Sequence, residues 1–81
     1  MMGDQKQTAE YLKGIRLRAR ISPTEMAEKI GVSRRQIYYI EEGDGQITVP
    51  QMQQWIHACK PSMASVIKNL FPQFQANLHR Y

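Results

Sequence analysis

The chain has 81 residues, 42% of them hydrophobic, which is enough for one compact helical core and too little for a second domain. Its single cysteine, Cys59, excludes an internal disulfide, and no paired Cys/His spacing of the kind a structural zinc site needs is present. A net charge of +4 and a pI of about 9.5 point to a polyanionic partner, because basic groups attract phosphates and gain affinity by releasing condensed counterions. Every Asp and Glu lies at or before Asp44, and the remainder carries Lys60, Lys68 and Arg80 without an acid. The polar opening, Met1 to Gln7, has no apolar run behind it and no stretch has bilayer-spanning length, so a cytoplasmic protein without membrane contact is expected.

In chain order, Leu12, Ile15 and Ala19 recur at helical spacing and predict a first amphipathic helix over about Thr8 to Arg20. Gly14 inside it costs roughly 1 kcal/mol relative to alanine, so either another backbone packs close there or the helix is weak at that point. Ser22-Pro23-Thr24-Glu25 is a start signal for a second helix, with a capping serine, a proline at the first helical position and a glutamate that completes a capping box. Gly31 ends that helix after Ile30, and Ser33 caps a third, predicted over Arg34 to Glu42 and stopped by Gly43-Asp44-Gly45. Thr48 with Gln51 caps a fourth helix to Cys59, with Met52, Trp55, Ile56 and Cys59 on one apolar face, and Pro61 closes it. Ser62 caps a fifth through Leu70, with Met63, Val66, Ile67 and Leu70 expected inward, and Pro72 ends it. The tail from Gln73 to His79 alternates polar and apolar residues, the period of a strand with one buried face. The expected organisation is a domain over residues 1–71 and a tail over 72–81.

Between Pro23 and Glu42 the inward positions are Met26, Ala27, Ile30, Gly31, Val32, Ile37 and Ile40. This is the pattern of a helix-turn-helix: Ala27 leaves room for the facing helix, Gly31 makes the turn, and the aliphatics fill the seam. From about Leu12 to Ile67 the chain resembles the phage repressor and Cro-type (XRE-like) helix-turn-helix family. The resemblance implies an all-α, five-helix lambda-repressor-like domain that binds a double-stranded DNA operator as a symmetric dimer. It also implies an ion pair between Arg16 on helix 1 and Glu41 near the end of helix 3, tying the two together. The DNA-facing residues it implies are Ser33, Arg34, Arg35, Gln36, Tyr38 and Tyr39. Pro23 stands where family members commonly carry a polar phosphate contact, so that role falls to Ser22 or Thr24. The connection after helix 3, Glu42-Gly43-Asp44-Gly45-Gln46, lacks the basic residues often found there.

The wheel of helix 3 can be read on its own. With Ile37 and Ile40 inward, Arg35 and Tyr39 fall one turn apart near the centre of the outward face, flanked by Arg34, Gln36 and Tyr38. Arginine can contact guanine O6 and N7 together, glutamine can do the same for adenine, and tyrosine can touch a thymine methyl or a phosphate. Cations at a helix start also oppose the helix dipole, which calls for another reason to be there.

Elsewhere Trp55 reads as core rather than as a stacking platform, Cys59 as packed and inert, and His57 and His79 as surface residues with no nucleophile or metal-ligand set beside them. Three fates stay open for Phe74, Ala76 and Leu78: pairing with a second copy, packing back on the domain, or disorder. Dimerisation is preferred, because an unpaired strand in a helical domain would leave backbone groups unsatisfied. The function expected is a transcriptional regulator, a repressor of a phage, plasmid or other mobile element. A second reading is an antitoxin that binds both its operator and a toxin protein. No acid/base pair or activated nucleophile marks an enzyme, and no cofactor is implied.

Overall fold

The computed structural model describes residues 2–70, which form five helices in the order α1 Met2–Arg18, α2 Pro23–Ile30, α3 Arg34–Glu42, α4 Val49–Cys59 and α5 Met63–Leu70. There is no strand among them, and no described helix is long and apolar enough to cross a membrane. The alternating pattern from Phe74 to Leu78 lies outside the described residues.

The starts of α2 to α5 each follow from a local side chain. Ser22 Oγ accepts from the Glu25 amide at 3.0 Å while Glu25 Oε1 accepts from the Ser22 amide at 3.4 Å, and Thr48 and Gln51 repeat the arrangement at 3.2 and 3.0 Å. Ser33 Oγ and Ser62 Oγ each accept one amide hydrogen bond, from Gln36 and Ser65, both at 3.1 Å. The ends need a left-handed residue. Gly31 (φ 74°) ends α2 and Gly43 (φ 84°) ends α3, where a side chain would be strained.

Helix α1 departs from expectation at both ends. It begins at Met2 rather than near Thr8, since the polar opening contains good helix formers although it lacks an apolar period. It stops at Arg18 rather than Arg20, because Arg20 takes the left-handed conformation (φ 61°) and the chain turns, with Ile21 N donating to Arg16 O at 3.2 Å. The open question at Gly14 resolves toward a weak point: a β-carbon there would meet nothing within 4 Å. Gly14→Ala should therefore stabilise the protein by about 0.5–1 kcal/mol, seen as a higher urea midpoint with an unchanged slope.

The helices close around Leu12, Ile15, Ile21, Met26, Ala27, Ile30, Ile37, Ile40 and Trp55. Helix α1 packs against α3, α4 and α5, and α2 against α3 and α4, so the pair α2–α3 is held on a platform of α1 and α4. Two long-range bonds lock that platform. Trp55 Nε1 donates to Leu12 O at 3.0 Å, and Tyr11 Oη shares a hydrogen bond with Ser65 Oγ at 2.8 Å. Met63 does not face inward as its spacing suggests: it is 69% exposed at the first turn of α5, while Val66, one turn on, is buried.

Candidate nucleic-acid interface

Helix α3 presents one face to the core and another to the outside, and the division is set by three residues. Ile37, Ile40 and Glu41 are buried, so Arg34, Arg35, Tyr38 and Tyr39 are turned outward, with the two tyrosines 46% and 43% exposed. Each ring offers an apolar face with a polar tip, which suits a surface that meets both bases and phosphates.

The inward side is anchored by charge. Arg16 Nε and Nη2 donate to Glu41 Oε2 and Oε1 at 2.5 and 3.1 Å, a two-pronged pair, while Arg16 Nη1 donates to Ile21 O at 2.7 Å. Both side chains are buried. One guanidinium thus ties α1, the turn into α2 and the end of α3 together. Cys59 lies close enough to feel both charges. Its thiol is pushed up to about 11 by burial, eased by Arg16 and reinforced by Glu41, so it stays protonated at neutral pH and is not a nucleophile.

The outward side has charge to spare. Arg16–Glu41 is the salt bridge among the described residues, so the guanidinium groups of Arg34 and Arg35 have no carboxylate partner among these residues, and the first turn of α3 carries no acid. Ser22, Thr24 and Ser33 are exposed. Because the Ser22 and Ser33 oxygens accept cap hydrogen bonds, their hydroxyl protons remain available to an acceptor such as a phosphate oxygen. Gln36 is half-buried rather than fully outward, lying beside Gly45 of the loop after α3. Glu42, exposed on the last turn of α3, places an acid at the far end of the outward face, which biases phosphate approach toward its N-terminal end.

Of the expected DNA-facing residues, Ser22 and Thr24 stand at the start of α2, Ser33 to Gln36 at the start of α3, and Tyr38 and Tyr39 further along α3, whereas Phe74, Ala76 and Leu78 lie outside the described residues. Gly45 escaped the sequence reading, which treated it only as part of a flexible turn. The descriptions of His57 as exposed and Trp55 as buried match the sequence reading.

Comparison with known proteins gives two findings. The helix-turn-helix family model HTH_3 matches residues 12–62, more than half of the chain. Among solved structures, that of the clp gene regulator ClgR from C. glutamicum is similar with a TM-score of 0.71, over 83% of this chain and 86% of that one, at 21% sequence identity. A likeness at that identity is one of fold. No curated protein sequence matches the chain.

Proposed function

The chain belongs to the helix-turn-helix family of DNA-binding transcriptional regulators, and from that premise we propose that it binds an inverted-repeat operator as a homodimer, with α3 in the major groove. The observation that carries this is the outward face of α3: two arginines at its first turn without a carboxylate partner among the described residues, followed by two exposed tyrosines, on a helix whose other face is pinned by Arg16 and Glu41. A base-reading helix must be rigidly mounted and chemically unpaired on its outer side, and α3 is both.

In this reading Arg35 contacts a guanine edge, with Arg34, Gln36, Tyr38 and Tyr39 around it, while Ser22, Thr24 and Ser33 position the helices on the backbone. Arg16 and Glu41 read nothing and hold the reader. The domain is residues 1–71, and the tail over 72–81, with Phe74, Ala76 and Leu78, joins two copies. Two such helices related by a dyad need half-sites about 34 Å apart. Occupancy of the operator excludes other proteins from the same DNA, which makes repression the regulatory outcome.

Selection of bound sequences from random duplex DNA tests the reading. An inverted repeat is the expected product, and Arg35→Ala should lose about 1–3 kcal/mol of binding at one base pair of each half-site with its melting temperature unchanged. A single asymmetric site bound by one protomer would reject the dimer. Loss of stability in Arg35→Ala with an intact sequence profile would reject the assignment of the outward face.

A further inference from the structure

The loop after α3 does more than end a helix. Tyr39 O accepts hydrogen bonds from both Asp44 N and Gly45 N, each at 3.0 Å, so the chain folds back over the last turn and lies along the flank of α3 that carries Gln36 and Tyr39. Gly45 sits at the point of closest approach. A β-carbon on it would stand 2.9 Å from Tyr39 Cβ, 3.3 Å from the Tyr39 carbonyl carbon and 3.2 Å from Gln36 Nε2. The first two neighbours are fixed by the helix backbone and cannot swing aside, whereas Gln36 Nε2 is the free end of a flexible side chain. Any residue but glycine at position 45 therefore lifts the loop off α3.

Gly43, by contrast, is explained by its left-handed φ of 84°, and Gly31 by its φ of 74°. Gly45 is the turn glycine whose need comes from contact with the helix rather than from backbone conformation. The contacted pair is also particular: Gln36 and Tyr39 are one turn apart on the outward flank, and Gln36 is half-buried with its side-chain amide beside Gly45.

We infer that Gly45 is a positioning residue for base readout, letting the loop close on the Tyr39 backbone so that the Gln36 side chain is held in one orientation toward the DNA. The inference rests on the proposed function of α3 and deepens it. An exposed glutamine samples many rotamers and spends binding free energy on ordering, while one packed against a loop backbone has most of that ordering done beforehand. Specificity at the base facing Gln36 then depends on a residue that never touches the DNA.

The test is a base-substitution profile of the full-length protein and its Gly45→Ala, Gln36→Ala and Tyr39→Ala variants on the operator selected by the wild type. Gly45→Ala should reduce discrimination about tenfold at the base pairs that Gln36→Ala affects, roughly the value of one good side-chain–base pair, and leave the positions read by Arg35 and Tyr39 unchanged. A uniform loss of affinity with the wild-type profile retained overturns the inference and leaves the function of α3 standing. A wild type without sequence preference overturns both. Nuclear magnetic resonance of the wild type supplies a measurement that does not depend on the variant folding. It should show an Overhauser contact between the Gln36 side-chain amide and the Gly45 α-protons, and a single Gln36 rotamer where exposed Gln53 and Gln54 are averaged. An averaged Gln36 without that contact overturns the inference.

Discussion

Glu41→Ala should remove about 3–5 kcal/mol of folding stability, the cost of leaving a buried guanidinium without its carboxylate. Two of the three Arg16 nitrogens donate to Glu41, and the third donates to Ile21 O, a neutral acceptor that cannot balance the charge. Water does not replace the lost oxygens readily, since both side chains are almost wholly covered. Against a total stability of about 5–15 kcal/mol for a small domain, such a loss moves the protein close to its unfolding threshold. Urea titration measures it directly. The double variant Arg16→Met with Glu41→Leu should recover most of the loss, because a buried ion pair and apolar side chains of similar volume differ little in net stability. DNA binding by Glu41→Ala should weaken equally on every sequence. A loss below about 1 kcal/mol would show that water enters the site, as it does around exposed pairs.

Trp55→Ala should cost a similar amount, about 3–5 kcal/mol, by a different route. Trp55 is 0% exposed, belongs to the cluster shared by α1, α2 and α3, and bonds to the backbone of α1 through its indole nitrogen. Truncation leaves a cavity that the surrounding helices can only partly close, and removes the one polar link between α4 and the middle of α1 that the indole makes. Trp55→Phe separates the two contributions: it keeps most of the apolar bulk and loses the hydrogen bond, worth about 1 kcal/mol net. Calorimetry of the two variants should therefore rank Phe well above Ala in stability. Equal losses would mean that the hydrogen bond, not the packing, holds α4.

How far the sequence could be read depended on whether a feature is local. The starts of α2, α3, α4 and α5 were legible because Ser22, Ser33, Thr48 and Ser62 act on amides three residues away, and the ends of α2 and α3 because glycine suits a left-handed turn. The end of α1 was not legible, since Arg20 adopts that conformation without being glycine. Its start was missed because the residues before Thr8 have helix propensity but no apolar period. Met63 has the right period for burial, yet periodicity gives a direction and does not say where the neighbouring helix stops. Arg16 and Glu41 are separated by 25 residues, and their spacing carries no sign that they meet, which came only through the family resemblance. Gly45 was read as loop because its neighbours, Tyr39 and Gln36, become close only after the chain has folded back.

The burial of Trp55 also gives the molecule a built-in optical probe of its own fold. It is the only tryptophan of the chain, and DNA bases cannot stack on an indole that is sealed in the core. Its emission should be blue-shifted in the native protein, shift to the red on unfolding, and stay in place when duplex DNA is added. The four tyrosines cannot serve the same end, because exposed Tyr38 and Tyr39 share their signal with Tyr11, which is bonded to Ser65 within the fold, and duplex DNA absorbs where tyrosine does. Excited at the red edge of its absorption, Trp55 thus follows folding in the presence or absence of DNA, without a dye or a substitution.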